Sequence, residues 1–137
     1  MSISQTKTGG FASGGEESLE SAACMLTALC SLGINPDDYR FVKNGNSLIG
    51  NIRSYMLPSG GFSHSKKEMK ENLMATEQAF YALVAAKRYY QGKKSLYDML
   101  DVAKNVGMVY NYKVSVDTSA MVMQTIADLS TNKGIKG

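Results

Sequence analysis

The stretch GGFSHSKKEMKENLMATEQAFYAL at residues 60–83 repeats the order of an earlier stretch, GGFASGGEESLESAACMLTAL at residues 9–29. Each begins with Gly-Gly-Phe, continues through a polar spacer to a glutamate, and ends in a run of small apolar residues with helical spacing. Phe11 and Phe62, the phenylalanines of the two copies, are 51 residues apart. A unit of helix, turn and helix repeated at this period is typical of stacked helical hairpins, in which no single unit buries its own apolar face.

The two copies differ in the length of the spacer. Glu20 and Glu77 are 57 residues apart, so the second copy has about six more residues between its Gly-Gly-Phe and its helix. A third stretch, VDTSAMVMQTIADL, matches the helix alone. The chain is therefore predicted to be one domain, 1–137, with repeat copies at about 5–57 and 58–106 and a partial copy at 115–137.

The repeated residues have predicted structural roles. Gly10 and Gly61 leave room for a tight turn between one hairpin and the next, because glycine has no Cβ. Phe11 and Phe62 are expected to fill the gap behind that turn. Glu20 is expected to bond to the backbone of a neighbouring turn.

Helical periodicity and end signals predict an all-α fold of about five helices. Small and apolar residues recur at three- and four-residue spacing, Ser18 or Glu16 can cap the first helix, and Gly33 and Gly92 end the first and third. Only Met108–Val114 has the pattern of a strand. The predicted helices are Glu17–Leu32, Ser47–Met56, Asn72–Tyr90, Ser95–Asn105 and Thr118–Ser130.

Composition excludes several classes of partner. The 137 residues are 44% hydrophobic and carry a net charge of +3 that is spread along the chain. Without a block of basic residues this charge predicts no binding to nucleic acid, and no apolar run is long enough for membrane insertion. The start, MSISQTKTGG, lacks the regions of a secretory signal, although a start this close to a motif is compatible with an excised piece of a longer protein.

The two cysteines are not expected to form a disulfide. Cys24 and Cys30 are six residues apart in one predicted helix, which rotates them by about 240° and directs the thiols away from each other. Both are predicted to be buried free thiols.

Several motifs resemble a known family. The segment QTKTGGF at 5–11 is similar to the motif of Gln, short spacer, Gly-x-aromatic in the terpenoid cyclase and prenyltransferase α/α-toroid superfamily. The strings ESAACMLTALCSLGINPDD, RFVKNGNSL, GGFSH, MATEQAFYALVA and SLYDM resemble the prenyltransferase-like repeat domain of Gram-positive surface proteins, over nearly the whole chain. The order of the motifs along the chain differs from that family. Here VDTSAM at 116–121 follows this block, whereas the equivalent helix precedes it in the family. The resemblance implies a partial α/α toroid of hairpin repeats and an extracellular or cell-surface location in the parent protein.

The enzymatic signatures of that superfamily are incomplete in this chain. Cyclases use an Asp-x-Asp-Asp motif to hold a neutral acid, but only Asp117 occupies the equivalent string, and a lone Asp before a helix is more often an N-cap. The zinc of protein prenyltransferases needs Asp, Cys and His ligands, whereas this chain has one histidine, His64, and mid-helix cysteines. The Cys-Gly-Glu-Gln of thioester domains is also missing. No catalytic residue, metal or cofactor is predicted.

Five residues are candidates for lining a ligand cavity. Glu77 and Gln78, on a helix of small residues, could face an inner cavity, although a structural role for Glu77 like that of Glu20 is favoured. Methionines could line an apolar pocket, although at helical spacing they more often fill a core. The candidates are Met74, Glu77, Gln78, Tyr81 and Asp117.

The predicted function is that of a non-catalytic binding or structural module of a bacterial surface protein, contacting a protein or a glycan. One alternative is a domain that binds a small hydrophobic molecule, a corrinoid or an isoprenoid, and another is a degenerate cyclase or prenyltransferase fragment. The resemblance implies that five helices are too few to close a toroid, and both chain ends are expected to present unfinished apolar hairpin surface. A homodimer is therefore expected, burying more than about 1,200 Å² in total.

Overall fold

The structure, a computed structural model, describes residues 2–105, and the side chains of residues 3–102. This part of the chain is mostly helical, which agrees with the coarse expectation of an all-α class. The predicted helix Thr118–Ser130, the strand Met108–Val114, the partial repeat 115–137 and Asp117 lie outside the described residues. The elements are β1 (Ala12–Ser13), β2 (Glu16–Glu17), α1 (Leu19–Ser31), α2 (Leu48–Arg53), α3 (Leu73–Tyr90) and α4 (Leu100–Asn105), with short 3-10 turns at Ser2–Ser4 and Tyr39–Phe41.

Helix α1 has the ends that the sequence predicts, within two residues. The Ser18 hydroxyl accepts a hydrogen bond from the Ser21 N–H at 3.2 Å and so caps the first turn. Gly33 takes a φ of +70° just beyond the last turn, a conformation that favours glycine. Ser18, not Glu16, is thus the cap, because the residues before it belong to a strand.

A small antiparallel sheet corrects the expectation of helices alone. Strands β1 and β2 pair Ala12 with Glu17 and Ser13 with Glu16. The two-residue loop between them is Gly14-Gly15, with φ of +63° and +88°. Two consecutive positive φ values define the turn that matches the twist of a hairpin, and glycine adopts them without steric cost. The Gly14-Gly15 pair is visible in the sequence, but an assignment based on helical periodicity alone does not predict this turn.

Helix α3 also follows its predicted bounds, whereas α2 and α4 are shorter. Asn72 caps α3 through a bond from the Ala75 N–H to its side-chain oxygen at 2.9 Å. Helix α4 begins at Leu100 and not at Ser95, because the preceding residues form a turn in which the Asp98 N–H bonds the Ser95 carbonyl at 3.0 Å.

The Gly-Gly-Phe sequence forms the same turn in both copies. In the first, the Thr6 N–H donates to the Gly10 carbonyl at 3.0 Å, and in the second the Leu57 N–H donates to the Gly61 carbonyl at 2.8 Å. Gly9 and Gly60 have φ of +81° and +89° at equivalent positions. These are three-residue hairpin loops with a left-handed glycine. The local repeat is therefore present in the backbone.

The spacer after each phenylalanine differs less than expected. From Phe11 to the cap Ser18 there are seven residue steps, and from Phe62 to the cap Asn72 there are ten. Three of the predicted six extra residues thus lie before the helix, and the others lengthen α3 at its N-terminal end.

The core lies between α1 and α3, with α2 packed against α1. Phe11 and Phe62 are both buried, at 7% and 1% exposure, as the repeat predicts. The Phe62 ring contacts Phe80 edge to face, with ring centroids 5.8 Å apart. Each phenylalanine therefore anchors its turn to the core.

Helices α1 and α3 lie side by side and run in the same direction. At their N-terminal ends, the Leu19 N–H of α1 donates to the carbonyl of His64, in the loop that leads into α3. At their C-terminal ends, the Tyr90 hydroxyl of α3 donates to the Asp37 carboxylate, just beyond α1. The facing sides of the two helices thus stay in register along their length.

Substitution of the two left-handed glycines is expected to have unequal effects. Gly60→Ala should cost about 1–2 kcal/mol from backbone strain alone, since nothing lies within 4 Å of the added Cβ. Gly9→Ala should cost at least about 1 kcal/mol more, because its Cβ would lie 2.7 Å from the Asn46 carbonyl oxygen. Denaturant unfolding of the two variants measures the difference. Equal losses would mean that the Asn46 loop moves aside freely.

Candidate functional site

A cleft of about 300 Å³ lies between α1 and α3. Small residues of α1 form one wall, and longer polar and aromatic residues form the other. It is lined by Ala23, Cys24, Thr27, Ala28, Glu77, Gln78, Tyr81 and Tyr97. The cleft therefore contains three of the five residues that the sequence nominates, namely Glu77, Gln78 and Tyr81.

Helical spacing explains how the walls form. Glu77 and Tyr81 are four residues apart and Gln78 and Tyr81 are three apart, so their side chains share one face of α3. On α1, Ala23 and Thr27 have the same relation. Because small side chains occupy the α1 wall, the two helices leave a gap that the α3 side chains do not fill.

The charge of the cleft comes from Glu77. This side chain is exposed, and it forms no hydrogen bond or ion pair with any residue that the structure describes. None of the lining residues is a lysine, arginine or histidine. The lining is thus acidic although the whole chain carries a net charge of +3.

Two tyrosines form the aromatic part of the lining. Tyr81 is half-buried, whereas Tyr97 is 75% exposed. Burial, together with the neighbouring Tyr97, raises the pKa of the Tyr81 phenol above its ordinary value. The Tyr81 phenol is therefore neutral at physiological pH, and both tyrosines can present ring faces and hydroxyls to a ligand.

A second, wider cleft of about 650 Å³ opens beside the first, at the N-terminal ends of α1 and α3. Gln78 lines both clefts, and Met74 lines the second together with Glu20 and His64. Met74 is 62% exposed, so it does not belong to the buried stripe of α3 that its spacing predicted. The fifth candidate, Asp117, is not among the described residues.

Glu20 has a structural contact, but with a different partner from the expected backbone. Its carboxylate contacts His64 Nδ1 at 2.8 Å, and His64 lies in the loop of the second repeat copy. Glu20 thus connects the first helix to the second copy. Glu77 has no equivalent bond among residues 3–102, whose side chains the structure describes, and its structural role stays a prediction.

The two cysteines differ in their exposure, which corrects the expectation that both are buried. Cys30 is buried, and burial raises the pKa of its thiol to about 11, with Asp37 contributing in the same direction. Cys24 is exposed at the cleft. The rotation of about 240° between them already implied that one faces outward when the other faces the core.

Thiol labelling is expected to modify one cysteine per folded chain. Iodoacetamide should react with Cys24, whereas Cys30 should react only after denaturation, because its thiol is buried and remains protonated at neutral pH. Peptide mass spectrometry locates the label, and Cys24→Ser is the control that should remain unlabelled when folded. Rapid labelling of Cys30 in that variant would contradict the packing of α1.

Tyr97 and Cys24 are the lining residues that the sequence candidates omit. Tyr97 lies in the turn between α3 and α4, where the sequence predicted a helix, so only the folded chain places it beside Tyr81. The described residues contain no cluster of three or more His, Cys, Asp or Glu side chains that could hold a metal ion. Within the same part of the chain, every helix is too short or too polar to cross a membrane.

Comparison with protein-family models, with characterised proteins and with solved structures gives no match to this chain. The resemblance to prenyltransferase-like repeat domains thus stays a prediction from the motifs.

Proposed function

We propose that this chain is a non-catalytic binding module of a bacterial cell-surface protein, built from prenyltransferase-like helical repeats, with its ligand site in the cleft between α1 and α3. One observation carries the proposal: Glu77, Gln78 and Tyr81 line one open cleft with Tyr97 and the exposed Cys24. A concave, largely apolar surface with a few convergent polar groups is the usual form of a binding site.

The repeat organisation supports a rigid site. The two Gly-Gly-Phe turns have the same hydrogen bonding, and their buried phenylalanines hold the turns against the core. Parallel helices α1 and α3 then present the cleft residues from stable elements. A site placed on rigid elements loses little conformational entropy when a ligand binds.

The charge of the cleft disfavours the small-molecule alternatives. A polyprenyl diphosphate needs basic side chains around its phosphates, whereas the described lining contains Glu77 and no basic residue. A volume of about 300 Å³ is at the lower end of pockets for drug-sized ligands. A corrinoid is larger than such ligands. A protein or glycan ligand, which needs to insert only one group, fits the cleft better.

The proposal is tested by blocking the cleft through its own cysteine. Wild-type protein is applied to peptide and glycan arrays before and after alkylation of Cys24 with N-ethylmaleimide. Binding to one ligand class should be lost after alkylation, because the added group occupies the cleft. Cys24→Ser protein given the same treatment is the matched control and should retain binding.

Three results would contradict the proposal. Binding that survives alkylation would place the ligand surface elsewhere, and an absence of binding on both arrays would favour a purely structural module. Native mass spectrometry with polyprenyl diphosphates and corrinoids covers the remaining alternatives. A bound or converted compound there would favour a small-molecule carrier or a cyclase-like fragment.

We also propose that the chain forms a homodimer. Two large apolar side chains lie exposed side by side at the N-terminal end of α3, Leu73 at 84% and Met74 at 62%. Exposed apolar patches are commonly covered by another chain, and two-fold pairing is the most frequent arrangement.

Analytical ultracentrifugation at micromolar concentration should give twice the mass of one chain. Leu73→Asp should shift the protein towards the monomer, because it places a charge in the interface. Leu32→Asp changes a leucine that is 64% exposed at the opposite end of the helix pair, and it should leave the dimer intact. A monomeric wild-type protein would refute the dimer.

A further inference from the structure

The composition of the cleft wall narrows the class of ligand. Glu77 is an exposed carboxylate without a hydrogen-bond partner or counter-charge among the described residues, and it lies one helical turn from Tyr81. Tyr81 and Tyr97 add two aromatic rings, and Ala23, Thr27 and Ala28 form a small-residue wall opposite. Carboxylate, aromatic faces and an apolar wall are together complementary to a cation carried on a hydrocarbon stem.

We propose, resting on the proposed function, that the cleft binds the side chain of a lysine presented by a protein partner. The ammonium group contacts the Glu77 carboxylate and the Tyr81 and Tyr97 rings, and the four-carbon stem lies along the small residues of α1. The Gln78 amide, at the boundary with the wider cleft, supplies a hydrogen-bonding group for the backbone of the partner.

The charge that is left uncompensated is that of the first cleft. Glu16, Glu17 and Glu20 line the wider cleft that adjoins it at Gln78, but there Glu16 pairs with Lys67 and Glu20 contacts His64. In the first cleft an anionic group would meet the Glu77 carboxylate, and no basic side chain is among the described lining residues. A neutral sugar would leave Glu77 without a charged partner, whereas a lysine ammonium pairs with it.

The test uses single side-chain probes. Nα-acetyl-lysine-N-methylamide is titrated into ¹⁵N-labelled protein and followed by NMR, beside the norleucine analogue, which has the same stem without the charge. The lysine probe should shift the amide signals of α1 and α3 at the cleft, and its binding should weaken as salt is raised. The norleucine probe should bind at least about threefold more weakly, since it lacks both the ion pair and the cation–π contact.

Matched variants assign the interaction to named groups. Glu77→Gln keeps the shape of the side chain and removes its charge, so lysine affinity should fall by about three- to tenfold while the norleucine affinity is unchanged. Glu68→Gln removes an exposed charge outside both clefts and should have no effect. Tyr81→Phe should retain binding because the ring face remains, whereas Tyr81→Leu should weaken it.

The outcomes separate this inference from the proposed function. Equal binding of the lysine and norleucine probes, or wild-type affinity in Glu77→Gln, overturns the lysine inference and leaves a binding module in place. If an array ligand stops binding after Cys24 alkylation but the lysine probe does not bind at all, the lysine inference is again overturned and the binding module remains in place. If neither the arrays nor the probes detect binding at the cleft, both proposals fail.

Discussion

Phe62→Ala is expected to lower the free energy of unfolding by about 3–5 kcal/mol, which approaches the whole stability of a small domain. The ring is 1% exposed and packs edge to face on Phe80. The backbone of the same residue is also anchored: its N–H donates to Thr76 Oγ1 at 2.9 Å and its carbonyl accepts from the Asn72 N–H at 2.9 Å. The turn therefore cannot collapse readily into the cavity left by the ring.

Urea unfolding followed by circular dichroism measures this loss. Met56→Ala is the matched control, since Met56 pairs with Phe62 across the same turn but is 51% exposed. It should change the stability by less than about 1 kcal/mol. If Phe62→Ala unfolds at the wild-type midpoint, the Gly-Gly-Phe turn is not part of the core and the repeat organisation is wrong.

Arg88→Ala is expected to cost about 3 kcal/mol or more. Arg88 is 6% exposed, its Nη2 lies 2.7 Å from both Asp101 carboxylate oxygens, and its Nε donates to the Lys94 carbonyl at 2.9 Å. Truncation leaves the carboxylate and the carbonyl without this partner, and removing one member of a buried ion pair is strongly destabilising. Because Asp101 is partly exposed, water compensates for some of this loss.

The control for this variant is another ion pair of the same segment. Lys94→Ala removes the exposed contact between Lys94 Nζ and Asp98 at 2.9 Å and should cost less than about 0.5 kcal/mol. Arg88→Lys should recover only part of the stability, because one ammonium cannot reproduce the guanidinium geometry. Loss of the same size in Lys94→Ala and Arg88→Ala would show that Arg88 does not hold the segment after α3.

Local sequence signals predicted the long helices well. The ends of α1 and α3 depend on Ser18, Asn72, Gly33 and Gly92, whose cap or left-handed conformations follow from their own chemistry. The same is true of the duplicated Gly-Gly-Phe turn. Signals of this kind act within a few residues of the chain, so the sequence alone is sufficient to predict their effect.

The candidate site was predictable only in part. Glu77, Gln78 and Tyr81 share a helix face through their spacing, so their grouping could be inferred before the fold was known. The exposure of these three side chains could not be inferred from the sequence, because it depends on how closely α1 approaches α3. Periodicity favoured a core position for Met74 for the same reason, whereas Met74 is 62% exposed.

The sequence by itself determined the helical class of the described residues, the approximate bounds of α1 and α3 and the repeated turn that buries Phe11 and Phe62. Each of these follows from backbone geometry and side-chain size over short distances. Only the tertiary structure decided that Tyr97 joins the cleft, that Glu20 binds His64 while Glu77 has no described partner, and that Cys24 is exposed. Those outcomes depend on contacts between residues far apart in the chain, which no local pattern encodes.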